Sequence, residues 1–69
     1  MIVLDQIREK LQEAIKLSGI SQSEIARHLG ISQQSISSYL NMNKLPALDT
    51  FANLCVLLDL DANEILCIR

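Results

Sequence analysis

Four side chains on one short stretch, Gln33, Gln34, Ser37 and Ser38, have the chemistry to read a hydrogen-bonding edge. A glutamine amide carries one acceptor oxygen and two N–H donors, so it grips any planar edge that sets an acceptor beside a donor, as N7 and N6 of adenine do. Ser37 and Ser38 lie a turn further on, where they can meet the next base edges or a thymine methyl. Within residues 33–40, QQSISSYL, only Ile36, Tyr39 and Leu40 are apolar; Gln33, Gln34, Ser35, Ser37 and Ser38 make a face without a charge. Solubility alone would fill such a face with Glu and Lys. Recognition explains it better than solvation does.

Holding those side chains together needs a helix, and the flanking residues mark its limits. Ser32 is a ready cap for a helix over residues 33–40, and the turn before it, with Ile31 as its apolar member, separates it from a helix over residues 22–29. That earlier helix opens with Ser21, whose hydroxyl is placed to accept from the Glu24 amide while the Glu24 carboxylate reaches back to the Ser21 amide. Ile25, Ala26 and Leu29 form its inward face, and Gly30 ends it. Upstream, Leu4, Ile7, Leu11, Ala14 and Ile15 recur at helical spacing and predict a helix over residues 4–18. Gly19 would end it in the left-handed conformation, with Ile20 folded back on the last turn.

Residues 41–47, NMNKLPA, read as a loop because Pro46 cannot continue a helix. A helix over residues 48–58 follows, with Leu48, Phe51, Leu54, Cys55 and Leu58 as its buried stripe. Ala47 is a poor cap, which leaves its first amides to Asp49 or Thr50. Asp61 with Glu64 opens a last helix over residues 62–67 carrying Ile65 and Leu66, with Ile68 beyond it. The expected fold is all-α and compact, with five helices.

Composition agrees. Hydrophobic residues make up 49% of the chain, yet only Tyr39 and Phe51 are aromatic, and there are two Gly and one Pro. Sixty-nine residues suit a single domain, 1–69, with no room for a separate ligand-sensing unit. The apolar run at residues 1–4 is too short for a targeting signal and no stretch is long enough to span a bilayer, so a cytoplasmic protein is expected. Cys55 and Cys67 lack partners at metal-ligand spacing and read as buried thiols; no metal, cofactor or small-molecule ligand is expected. His28 has no nucleophile or carboxylate pair around it in the pattern of a catalytic set, so no enzyme activity is expected.

Two runs, the first ending Leu-Gly and the second starting three residues later with Gln-Gln-Ser-Ile, are followed by Asn41, Pro46 and a helix beginning Leu-Asp-Thr-Phe. This pattern resembles the phage repressor and Cro type of helix-turn-helix domain, also called lambda-repressor-like, over roughly residues 7–66. Gln22, Glu24, Ala26, Gly30, Ile31, Ser32, Gln33, Ser35, Ile36, Asn41, Pro46 and Leu54 carry the likeness, and the motif itself occupies residues 21–41. The resemblance implies a transcriptional regulator whose third helix enters the major groove of double-stranded DNA and reads bases with Gln33, Gln34, Ser37 and Ser38. It also implies phosphate contacts from Gln22, Asn41, Asn43 and Lys44, which set position without reading sequence; Arg27, a surface cation, and Ser35 are further candidates for such contacts.

The chain departs from the family pattern in three places. Met42 stands where relatives often have Gly after the loop Asn. Ile15 and Leu40 stand where many carry a charged pair joining helix 1 to the end of helix 3, an exchange that is often neutral or stabilising. The loop after helix 3 supplies one cation, Lys44, where relatives often have two or three. The net charge of −2 is unusual for a DNA binder, but it is unevenly spread. Residues 1–46 carry a net +1 and residues 47–69 a net −3.

Val56, Leu57, Leu60, Ile65 and Ile68 exceed what the core of the last two helices needs, and surplus apolar surface marks interfaces. They are the expected contact of a homodimer that would present two reading helices to a palindromic operator. The competing expectation is a protein-interaction module of the same fold, adaptor-like or antitoxin-like, with weak DNA binding or none.

Overall fold

The computed structural model describes residues 1–41 and 44–68. Five helices follow in order: α1 (Leu4–Leu17), α2 (Gln22–Leu29), α3 (Gln33–Leu40), α4 (Leu48–Leu58) and α5 (Ala62–Ile65). No strand occurs among the described residues. The starts and stops of α2, α3 and α4 fall on the residues expected from sequence, and α5 ends two residues short of Cys67.

The caps explain these limits. Ser21 Oγ accepts from the Glu24 amide and Ser32 Oγ from the Ser35 amide, each at 3.2 Å, and Asp61 Oδ1 accepts from the Asn63 amide at 3.0 Å. The second half of the expected capping box at Ser21 gives way to an ion pair, for Glu24 Oε2 turns to the Arg27 guanidinium at 2.9 Å instead. Asp49 Oδ1 takes the Thr50 amide at 2.9 Å and so supplies part of what Ala47 cannot. At the end of α1, Ser18 Oγ accepts from the Ile20 amide at 3.2 Å while Ile20 itself is 37% exposed, so a hydroxyl does the work expected of an apolar contact.

Gly30 ends α2 at φ +68°, letting the Ile31 amide reach back to the Ala26 carbonyl at 3.1 Å. A Cβ at this position would meet nothing within 4 Å. Alanine there therefore carries only the penalty of a left-handed backbone: Gly30→Ala is expected to lower the unfolding free energy by about 1–2 kcal/mol, and Gly30→Asn by less, both measurable by urea titration. α4 and α5 end through the same geometry without glycine, Asp59 at φ 54° and Cys67 at φ 61°.

One core joins the helices: Leu11 and Ile15 of α1, Ile25 and Ala26 of α2, Ile36 and Tyr39 of α3, Leu54 of α4 and Ile65 of α5. α2 packs on α3 and α4, and α1 on α3 and α5. Ile15 is buried and Leu40 packs against the same core, as an apolar replacement of a charged pair requires. Nearby, the buried Gln12 donates from Nε2 to the Tyr39 carbonyl at 3.2 Å, so a neutral hydrogen bond still ties α1 to the end of α3.

Two apolar residues expected inside are not there. Leu4 is 54% exposed and Leu48 is 86% exposed; they edge an apolar cleft of about 150 Å³ lined also by Ile7, Leu45, Pro46, Phe51 and Leu66. Leu48 sits in the first turn of α4, beyond the reach of the core that Leu54 fills six residues later. No helix among the described residues is long and apolar enough to cross a membrane.

Candidate nucleic-acid interface

α3 is anchored by Ile36 and Tyr39, buried beneath it, with Leu40 half-buried on the same side. At about 100° per residue, Gln34 projects opposite the direction these three set, with Ser38 and Asn41 beside it. Gln33, also exposed, lies on the flank nearer Leu40. Both glutamine amides face solvent, and Gln34 holds the centre of the outward face.

Gln34, Ser35 and Ser38 line an open cleft of about 310 Å³ together with Ser32 and Lys44. Two base-reading candidates and two phosphate-contact candidates thus meet in one place, 10 residues apart in sequence between Gln34 and Lys44. Ser32 was not among the expected contacts, because its capping role accounts for it fully in the sequence. In the structure its Oγ lies 3.0 Å from Ser35 Oγ as well as accepting from the Ser35 amide, so the cleft has a hydroxyl-lined floor. The exposed Lys44 supplies its positive charge.

The two serines of the reading face are already hydrogen bonded within the helix. Ser38 Oγ donates to the Gln34 carbonyl at 3.0 Å, and Ser37 Oγ accepts from Asn41 Nδ2 at 3.3 Å. Asn41, exposed at the end of α3, is therefore held against the reading face. Gln22, half-buried, is the first residue of α2. Asn43, like Met42 where relatives often have Gly, lies outside the described residues.

Arg27 is not part of this cluster. Its guanidinium pairs with Glu24 on α2, both side chains more than half exposed, and contacts His28 Nε2 at 3.4 Å. A surface pair of this kind is worth only about 0.2–1 kcal/mol, so a phosphate can compete for Arg27, though Glu24 offsets its charge. His28 Nε2 lies 3.7 Å from Glu24 Oε2 as well.

The expected dimer residues are distributed between two clefts and the core. Val56, 83% exposed, and Leu57 line a cleft with His28, Leu29 and Asn53, whereas Leu60 and Ile65 line another beside Glu13, Asp59, Asp61 and Glu64. Ile65 is 6% exposed and belongs to the core between α1 and α5, which removes it from any such face. Leu57 and Leu60 are half-buried against the core, and Ile68 is 63% exposed.

Neither cysteine forms a disulfide, and both are half-buried. Burial, with the Asp61 carboxylate adding to it, pushes the Cys55 thiol above its ordinary range and keeps it protonated. Among the described residues no three His, Cys, Asp or Glu side chains gather as a metal ion would require.

A family model described as helix-turn-helix matches residues 11–65, most of the chain. Three HTH-type transcriptional regulators are each 55% identical to it over 31 residues: those for conjugative elements R391 of Providencia rettgeri, SXT of Vibrio cholerae and pMERPH of Shewanella putrefaciens. The shared segment covers 45% of this chain but 14% of each of those proteins. No solved structure matches it.

Proposed function

The chain belongs to the helix-turn-helix family, and from that membership we propose that it is a sequence-specific DNA-binding transcriptional regulator, cytoplasmic and without a catalytic step, that occupies operator DNA. The observation that carries this reading is the cleft on α3, where an exposed, uncharged glutamine and serine face converges with Lys44. The names of the three similar regulators support it. α3 would lie in the major groove with Gln33 and Gln34 on base edges, while Gln22, Ser35, Asn41, Asn43 and Lys44 hold phosphates and Arg27 adds a weaker contact.

Base readers and phosphate holders respond differently to salt. Lys44→Ala is expected to weaken binding to all sequences alike and to reduce the slope of log K against log salt by about 0.9, as titrations between low and physiological salt would record. An unchanged slope would exclude Lys44 from phosphate contact. Retention of the chain by random duplex DNA at low salt, in a mobility-shift assay, tests the proposed function itself.

With so few cations, a single copy makes few charged phosphate contacts, and pairing two copies doubles them. We place the proposed homodimer on the exposed Val56 and Ile68, with Leu57 and Leu60 at the margin, which would set two copies of α3 about 34 Å apart on a palindromic site. Sedimentation at micromolar concentration with operator-length DNA should show two chains per duplex; a single chain per duplex would refute the pairing. A second reading, a protein-interaction module of the same fold, is favoured by the cleft in which Glu13, Asp59, Asp61 and Glu64 outnumber Lys10, a surface repelled by DNA. Failure to retard random DNA at low salt would support it over the first.

A further inference from the structure

Resting on the reading of α3 as a base-reading helix, the geometry points to Ser38 as a residue that tells amino bases from keto bases. A serine hydroxyl has one hydrogen and two lone pairs, so a freely turning serine pairs with donors and acceptors alike and selects neither. Ser38 is not free to turn in this way. Its hydrogen is committed to the Gln34 carbonyl, 3.0 Å away and one turn back, a bond that serine makes readily inside a helix. What remains on Ser38 Oγ is acceptor capacity alone, on a residue lining the cleft with Gln34 and Lys44.

In the major groove adenine presents its N6 amine and cytosine its N4 amine, whereas guanine and thymine present the acceptors O6 and O4. An acceptor-only hydroxyl pairs with the first two and leaves an unpaired contact against the others. At the base that Ser38 faces, the chain therefore prefers adenine or cytosine to guanine or thymine on that strand, without distinguishing the two members of either class. Ser37 provides the contrast. Its oxygen accepts from Asn41 Nδ2 at 3.3 Å and, among the described residues, its hydrogen is not committed to a carbonyl, so it carries no such restriction.

The test is a set of operator duplexes, varied one base at a time, bound to the wild-type chain and to S38A and S37A. Both serines are half-buried on the outer side of α3 and alanine raises helix propensity, so the variants fold. The wild-type chain is expected to favour amino over keto bases about five-fold at one position of each half-site, the effect of one hydrogen bond. S38A should lose that preference and keep all others, and S37A should retain it. N6-methyladenine or N4-methylcytosine at that position should weaken wild-type binding about five-fold and leave S38A unaffected. A preference for keto bases there, or an amino preference that survives in S38A, would overturn the inference while leaving base reading by Gln33 and Gln34 intact. A wild-type chain without base preference at any position would instead overturn the reading of α3 on which the inference rests.

Discussion

Gln34→Ala is expected to reduce affinity for the preferred operator by about 1–3 kcal/mol, roughly five-fold to more than a hundred-fold, while leaving affinity for random DNA nearly unchanged. The size follows from what the side chain presents. Gln34 is exposed at the centre of the outward face of α3, and among the described residues its amide has no hydrogen-bond partner that would have to be given up first. Truncation removes both bonds of a bidentate contact and leaves the base edge desolvated and unpaired. Gln33→Ala should behave in the same direction, with a smaller effect, because Gln33 stands on the flank of the helix nearer Leu40. Equilibrium binding to the preferred site and to an unrelated duplex, at one fixed salt concentration, separates the specific loss from the general one. Equal losses on both duplexes would assign Gln34 to the phosphates instead.

Leu54→Ala is expected to destabilise the chain by about 2–5 kcal/mol. Leu54 is fully buried, where α4 packs against α2, the helix that carries the first half of the motif. Native domains are stable by only about 5–15 kcal/mol, and small ones lie toward the lower end. The variant should therefore be substantially unfolded on moderate warming and lose DNA binding with its structure. Leu48→Ala, the same substitution six residues earlier on the same helix, should fall within about 0.5 kcal/mol because Leu48 is 86% exposed. Denaturant midpoints measured side by side give the comparison, and equal effects at the two positions would contradict the described packing of α4.

That contrast also shows where the sequence was and was not legible. Helix limits were readable because their chemistry is local: Ser21, Ser32 and Asp61 cap by bonding amides two or three residues away, and Gly30 takes a backbone conformation that its own lack of Cβ permits. Depth was less readable. Leu48 and Leu54 both fall on the apolar stripe of α4, but how far the stripe reaches into the core depends on the neighbouring helices. Likewise, nothing local marked Gln12 as a buried tie to the Tyr39 carbonyl, and nothing at Asp59 or Cys67 advertised a left-handed backbone. Glu24 had two partners within one turn, and the choice of Arg27 over the Ser21 amide is set by side-chain geometry that spacing alone leaves open.

The candidate site divides in the same way. The uncharged face of α3 was evident from residue types, whereas its meeting with Lys44 and Ser32 in one cleft is a matter of tertiary placement that residue types do not carry. The surplus apolar residues of α4 and α5 were visible too, but Val56 and Ile65 part company, one exposed on the surface and the other inside the core.

Selection of bound duplexes from a pool of random DNA tests the central claim most directly, because it asks at once whether α3 binds and whether it reads. Enrichment of a short half-site containing adenine, repeated in inverted orientation about one helical turn away and lost when Gln33 and Gln34 are both alanine, is the expected result. A pool that the chain retains without enriching any sequence would contradict base reading by α3, and a pool it does not retain at low salt would contradict DNA binding altogether.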